Sequence, residues 1–452
     1  MRHVLAVSLL LAVAMVSDAQ ERISDKILHA PGRPPDRIVL TWCKDPTRTQ
    51  AVTWRTDTSV TTAIAECVDA AAGPDTKKTV AAATSPFKSD LSDAHFHTAH
   101  FENLTPDTKY AYRVGDGVNW SEWNHFKSAS AQPDKFRFLY FGDAQYELVD
   151  RWTPLVRAAF KTAPDARFSI HAGDLVNYAG RDAQWGEWFQ AAASINRSMP
   201  VIPTPGNHEY MHEEGSLLPR YWNKQFALPD NGLKDLGVFH LDFQGVRIIS
   251  LNTNEKVPEQ IEWLKSVLMN NPNRWTIVTF HHPIYSAAAG RDDPALRKSL
   301  QPIFDKYRVD LVLQGHDHCY GRSALLGYDG ARGGTVYVVS VSGPMFYESN
   351  NDKWMVRKGE KLQFFQVITI DGDALSFEAR TVTGELFDSF TLRKQDGKQN
   401  LLTNETHDPR SMPAPKLWPG TPEQWTWGPL AVVLLLAGVL VAINVLRRRR
   451  AA

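Results

Sequence analysis

The stretch FRFLYFGDAQ, residues 136–145, is largely apolar as far as Phe141 and then turns to Gly142 and Asp143. A short run rich in aromatic and branched residues reads as a buried β-strand. Here a metal-binding side chain stands where the run ends. The arrangement recurs along the chain. Residues 168–172 lead into GDLVNY at 173–178, and GNHE occupies 206–209. Residues 275–280 lead into His281 and His282 of VTFHH, and residues 309–313 lead into GHDH at 315–318. Helical periodicity fills 182–193, 258–269 and 294–307, and Trp185, Trp188 and Phe189 share one helical face, as core residues do. Strands alternating with helices indicate α/β layering. In such sheets functional groups gather at the carboxyl ends of the strands. The glycines before Asp143, Asp174 and His316 permit tight turns there. The tail of the region is β-rich again, at 335–341, 364–370, 374–381 and 387–392.

Outward from this region, toward the N-terminus, the pattern changes. Residues 38–42, 50–55, 62–68, 94–101 and 109–114 are strand-like runs separated by Asp, Gly, Pro and Thr clusters. They predict an all-β antiparallel sandwich over residues 30–131. Toward the C-terminus, residues 395–424 are polar with several prolines and read as a linker. The expected organisation is therefore a sandwich at 30–131, an α/β (α+β) region at 134–394 and a linker at 395–424.

The two ends carry targeting signals. Arg2 and His3 precede an apolar run at 4–16, with Ser17 and Ala19 placed as cleavage-site residues, so 1–19 reads as a signal peptide. A membrane anchor is the alternative, although the run is short for a span. Trp425 and Trp427 precede an apolar run at 429–446, broken by Asn444 and followed by Arg447 to Arg450. Apolar length, interfacial tryptophans and flanking arginines predict a C-terminal transmembrane helix at 425–446 and a basic tail at 447–452. The expectation is an exported protein at the cell surface, bound to the membrane through that helix. A bacterial sorting tail would look much the same.

Composition excludes some classes. Lys plus Arg and Asp plus Glu number 50 each, so no overall charge points to nucleic acid or an acidic partner. The 452 residues exceed a single core. Of three cysteines, Cys43 and Cys67 fall in one region and can pair in an oxidising compartment, while Cys319 reads as a packed thiol. Asn103, Asn119, Asn196 and Asn404 form glycosylation tripeptides whose meaning depends on the source. Oligomeric state is not readable.

A lone Gly-Asp carries no information, but five such blocks in order point to a site for two metal ions. Mixed oxygen and nitrogen donors suit Fe, Zn or Mn, divalent or mixed-valence. Two such ions can turn a bound water into a metal-bound hydroxide nucleophile and neutralise an anionic substrate, so no Ser or Cys nucleophile is required.

Residues 136–391 resemble the calcineurin-like metallophosphoesterases, and with the sandwich in front the chain resembles their purple acid phosphatase branch. The segment LTPDTKYAYRV at 104–114 likewise resembles a late strand of fibronectin type III-like domains. The resemblance implies a metallophosphoesterase β-sandwich flanked by helices behind a fibronectin type III-like domain. It implies that Asp174 bridges both metals, that Asp143 and His318 bind the first, and that Asn207, His281 and His316 bind the second. His208 would face the scissile phosphate as general acid, and His282 would face the substrate. The chain departs from the family's pattern in two places. Gln145 stands where purple acid phosphatases have glycine and where related phosphodiesterases have histidine. Asn177 stands where the iron-binding tyrosine belongs, with Tyr178 one residue later. A small phosphate monoester is the expected substrate. A phosphodiesterase with the same site and a non-catalytic surface binding protein are the alternatives.

Overall fold

Period-two alternation of side chains builds the first layers of the fold. The computed structural model describes residues 23–73, 76–210, 220–327 and 334–405. Asp36–Thr41 (β1), Gln50–Thr56 (β2), Ile64–Asp69 (β3), Lys78–Ala81 (β4), Ala83–Lys88 (β5), Asp93–Phe101 (β6), Lys109–Gly115 (β7) and Asn124–Lys127 (β8) make two antiparallel sheets. Their orders are β1-β2-β6-β5 and β4-β3-β7-β8. Ile38, Leu40, Val52, Trp54, Tyr112 and Phe126 pack together in this sandwich. Val39, on the other face of β1, packs in a second core with Phe87, Phe96 and Trp185. Both faces of β1 are thus buried, which explains its unbroken Ile-Val-Leu.

More strands follow among the described residues. They are Phe136–Phe141 (β9), Ser169–His171 (β10), Val201–Pro203 (β11), Phe239–Phe243 (β12), Val246–Ser250 (β13), Trp275–Thr279 (β14) and Leu311–Gln314 (β15). Then come Tyr320–Ser323 (β16), Val336–Val339 (β17), Met355–Gly359 (β18), Phe364–Asp371 (β19), Ala374–Thr381 (β20), Leu386–Arg393 (β21) and Leu401–Asn404 (β22). They form two seven-stranded sheets, β11-β10-β9-β19-β20-β21-β22 and β12-β13-β14-β15-β17-β16-β18. The run β9-β10-β11 is parallel, and so is β13-β14-β15-β17. Each parallel run therefore delivers several carboxyl ends to one edge.

Leu139 and Phe141 of β9 face a core with Trp152, Trp185, Trp188 and Phe189, supplied by the π-helical turn Leu148–Trp152 and the helix Asp182–Ala191. Phe138 and Tyr140 point the opposite way, toward the second sheet. The Tyr140 hydroxyl donates to the Gln314 carbonyl, and Gln366 Nε2 donates to Ser340 Oγ at 2.5 Å. The helices Val257–Met269 and Pro294–Tyr307 cover the far face of the second sheet with Leu264, Val267, Leu300 and Phe304. Asp293 caps the latter helix by accepting the Leu296 N–H at 2.9 Å, and Pro294 opens it. The result is a β-sandwich flanked by helices behind an all-β domain.

Several expectations need correction. No helix among the described residues is long and apolar enough to cross a membrane, so the fold is stated without the transmembrane helix expected at 425–446. That stretch, the tail at 447–452 and the signal peptide at 1–19 lie outside the described residues. Within the expected linker at 395–424, Leu401–Asn404 is instead a strand, because β22 pairs with β21 from Phe390↔Asn404 to Arg393↔Leu401. Residues 406–424 lie outside the described residues. Cys43 and Cys67 are both free. Cys67 is in the sandwich core, where burial pushes its thiol up to about 12, while Cys43 Sγ lies 3.3 Å from His100 Nδ1. Strands β4, β5 and β8 escaped sequence reading because their short runs lack a clean apolar period, β4 and β5 being mostly exposed or half-buried and β8 burying only Asn124 and Phe126.

One ion-pair cluster ties the sandwich to the next layer. Asp182 receives Arg37 at 2.7 Å and Arg55 at 3.0 Å, and all three side chains are 2–3% exposed. Removing one partner of a buried pair strands the other charge. Asp182→Ala is expected to destabilise the chain by about 3–5 kcal/mol, read from urea unfolding. A loss below about 1 kcal/mol, the range of exposed pairs, would show that the cluster holds nothing together.

Candidate metal centre

Four of the side chains singled out in the sequence leave the sheets through left-handed backbone. Asp143 follows β9 with φ 44°, Asp174 follows β10 with φ 52°, and His316 and His318 follow β15 with φ 74° and 47°. Such conformations cost of order 1–3 kcal/mol each in non-glycine residues and persist only where the surroundings over-determine them. Here the surroundings do. The Asp143 carboxylate accepts the His316 N–H at 2.9 and 2.8 Å. Asp174 Oδ1 accepts the His208 N–H at 2.9 Å. Glu209, the last residue of GNHE, accepts the N–H groups of Asp174, Leu175 and Gly206 at 2.8, 2.8 and 2.7 Å. Backbone must also pass close to the carboxylates. A Cβ on Gly206 would lie 2.1 Å from Asp174 Oδ1, and one on Gly315 would lie 2.4 Å from Asp143 Oδ2. Only glycine fits either place.

The ligating atoms then converge. Asp143, Asp174 and His318 form one trio and His281, His282 and His316 another, each with its donor atoms within 4.8 Å of one another. Asn207 Oδ1 joins the second, 3.0 Å from His281 Nε2 and 2.9 Å from His316 Nδ1. Asp174 connects the two, since its Oδ2 is 3.1 Å from His281 Nε2. His281 Nδ1 lies 2.8 Å from the Ala172 carbonyl, which turns Nε2 toward the cluster. All six residues expected as ligands therefore meet.

The remaining expected residues are placed as follows. His282 Nδ1 meets Thr253 Oγ1 at 2.9 Å, and its ring centroid is 4.3 Å from that of His316. It is packed among the histidine ligands rather than set apart from them. His208 Nδ1 meets the Asn177 carbonyl at 2.8 Å, and its Nε2 is 3.9 Å from Asp174 Oδ2. Gln145 Nε2 lies 2.6 Å from His318 Nε2. Asn177 keeps a buried Oδ1 with no protein partner, as does Gln145 with its Oε1. The Tyr178 ring lies under the Arg181 guanidinium, 4.8 Å from its carbon.

Sequence reading missed Tyr347, stacked on His318 at 4.5 Å and 4°, and Tyr146, whose ring centre is 6.3 Å from His208 and 6.4 Å from His318. It also gave no role to Glu209, Arg291 or Asp317. Glu209 and Asp317 sit inside the quoted motifs, which was a signal of a kind. Tyr347 and Arg291 come from loops remote in sequence, with no local pattern to mark them.

Electrostatics favour added positive charge. Burial raises Glu209, and the Asp174 carboxylate adds to this, to about 8. Burial lowers His282 to about 3, helped by His281, and the same two influences lower His316. Burial opposes charge on Asp174 and His281 too, but their mutual attraction prevails. It holds Asp174 below the usual carboxylate range and lifts His281 to about 9. Two carboxylates, an amide oxygen and several imidazoles thus face one another with few protons to share. The donor chemistry fits cations of the Fe, Zn or Mn kind.

Comparison with known proteins shows what this chain is similar to. Residues 136–320 match the family described as "Calcineurin-like phosphoesterase", and residues 35–128 match "Purple acid Phosphatase, N-terminal domain". An uncharacterized protein of Mycobacterium tuberculosis is 30% identical over 275 residues, 51% of this chain and 51% of its own. Acid phosphatase type 7 of Homo sapiens is 31% identical over 265 residues, 50% of this chain and 57% of its own. "Probable inactive purple acid phosphatase 27" of Arabidopsis thaliana is 24% identical over 356 residues, 66% of this chain and 58% of its own. The chain thus spans about half the length of the curated relatives it matches. Among solved structures, a purple acid phosphatase from yellow lupin seeds superposes with TM-score 0.69 at 21% identity, covering 80% of this chain and 75% of that one.

Glu209→Ala would leave three buried N–H groups without an acceptor, at about 1–3 kcal/mol each. The expected result is a melting temperature lower by at least about 5 °C and less metal per chain by elemental analysis. Unchanged values for both would show that Glu209 does not hold the Asp174 and Asn207 turns in place.

Proposed function

Because this chain is a purple acid phosphatase-like member of the calcineurin-like phosphoesterases, we propose that it hydrolyses phosphate esters, monoesters foremost, with two metal ions. The observation that carries the reading is Asp174. Its carboxylate belongs to the trio with Asp143 and His318 and also lies 3.1 Å from His281 of the other trio. A single residue reaching both groups is what a shared, bridging ligand requires. Asp143 and His318 would complete one ion's donors, and Asn207, His281 and His316 the other's. When bound, the ions supply positive charge to the phosphoryl oxygens and make a bound water acidic enough to serve as nucleophile near neutral pH.

The chain's own groups do the rest. His208 is held through Nδ1 by the Asn177 carbonyl, which leaves Nε2 on the side of Asp174. From there it gives a proton to the leaving alkoxide or a hydrogen bond to a phosphoryl oxygen. His282, fixed through Nδ1 by Thr253, presents its other nitrogen to the cluster. Asp143, Asp174 and His281 are almost wholly buried, so water is kept off the inner side of the site. The amide of Gln145 against His318 marks where this chain's handling of one ion differs from the family pattern.

Two observations favour a second, non-catalytic reading. Three matched plant relatives are named probable inactive, and Gln145 and Asn177 replace pattern residues. Elemental analysis and ester hydrolysis on the same sample separate the readings. The catalytic reading expects close to two ions per chain and turnover of p-nitrophenyl phosphate exceeding that of its bis-ester. Asn207→Ala and His316→Ala should each lower turnover by at least about 10²-fold, the scale for losing an electrostatic catalytic group. Near-parental rates in both variants refute the ligand roles of Asn207 and His316, and a protein that binds no metal and cleaves neither ester is a binding protein. A faster bis-ester would make it a phosphodiesterase.

A further inference from the structure

A cation stands against the ligand cluster with no part yet in the chemistry. Arg291 lies in the loop between β14 and the helix Pro294–Tyr307. Its Nη2 contacts His316 Nε2, and its guanidinium carbon lies 4.9 Å over the Tyr347 ring. Tyr347 in turn stacks flat on His318. One guanidinium thus touches a histidine of one trio and packs on the Tyr347 ring that stacks on a histidine of the other.

Its placement is built. Asp317 lies between the two ligand histidines in sequence but turns its carboxylate elsewhere. Fully buried, it accepts Ser286 Oγ at 2.8 Å and the N–H groups of Ala287 and Ala288 at 2.7 and 3.2 Å. Its other oxygen receives Arg291 Nε at 3.3 Å. The same carboxylate therefore anchors the loop and aims the arginine. The contact to Arg291 is long, and Nη1 takes part in none of these interactions. About a third of the arginine side chain remains exposed, 32%, so it is neither spent in a buried pair nor free in solvent.

We propose that Arg291 binds the phosphoryl group of the substrate, with Asp317 and Tyr347 as its positioning residues. The inference rests on the phosphoester reading above. A guanidinium offers a planar fork of N–H donors matched to phosphate oxygens, which an ammonium does not. Placed beside both histidine groups, that fork adds protein-borne positive charge to whatever phosphate the site holds. Arg291 would bind the product, inorganic phosphate, by the same contacts.

The test uses the full, metal-loaded chain and its R291Q and R291K variants. Three quantities are measured: metal per chain, binding of inorganic phosphate by titration calorimetry, and kcat and KM for p-nitrophenyl phosphate. R291Q is expected to keep its metal and to bind phosphate about 10- to 100-fold more weakly, the scale of one charge-assisted hydrogen-bond contact. Its KM should rise in parallel. R291K should fall between, keeping charge but losing the fork. Phosphate affinity within about 3-fold of the parent in R291Q, well short of the tenfold that 1.4 kcal/mol represents, overturns the proposal. Loss of metal in step with loss of phosphate binding also overturns it, since Arg291 would then serve only to hold His316. Failure of the phosphoester reading shows differently, as a metal-loaded parent that turns over no ester whatever R291Q does to phosphate binding.

Discussion

Everything in this molecule answers to a crowd of electron-pair donors buried at the ends of parallel strands. Asp143 and Asp174 are each 1% exposed, His281 lies 3.1 Å from Asp174 and His318 3.5 Å from Asp143, and Asn207 Oδ1 stands 3.0 Å from His281 and 2.9 Å from His316. Buried carboxylates are costly unless something positive or protic compensates. The chain supplies part of the compensation through backbone N–H groups, such as those of His316 to Asp143 and His208 to Asp174. The negative potential that remains suits metal ions. Strained turns at four ligands, the forced glycines and the buried Glu209 bracket are the structural cost of holding that crowd still.

Sheet packing decides which donors meet. The first seven-stranded sheet brings Asp143, Asp174 and Asn207 to its edge, after β9, β10 and β11. The second brings His281, His316 and His318, after β14 and β15. The oxygen-rich and nitrogen-rich halves of the centre therefore come from different sheets. Contacts such as Tyr140 to Gln314 and Gln366 to Ser340 keep the halves in register. Asp182, gripping Arg37 and Arg55, fastens the N-terminal sandwich to the layer behind the first sheet. Packing far from the centre thus bears on its geometry.

Much of this was legible in sequence where local chemistry dominates. Residues 136–141, 294–307 and 374–381 have the predicted secondary structure to the residue, because their periods and bounding turn or cap residues agree. The short edge strands β4, β5 and β8 were not legible, since their pairing comes from neighbours rather than from an apolar period. Polar surroundings misled at 401–404, where Leu401–Asn404 pairs with β21 at the sheet edge and stays largely exposed. The departures from the family pattern also acquire a setting. Gln145 lies against His318, Tyr178 is covered by Arg181, and the aromatic rings beside His318 and His208 belong to Tyr347 and Tyr146.

The amino-acid sequence by itself determined the donor types, their order and their placement at strand ends, because strand period and glycine turns are encoded within a few residues. Only the tertiary structure decided that Asp174 reaches both groups, that His282 packs among the ligands, and that Arg291, Tyr347 and Asp317 surround them. Those relations join residues far apart in the chain through sheet stacking and loop closure, which no local spacing specifies.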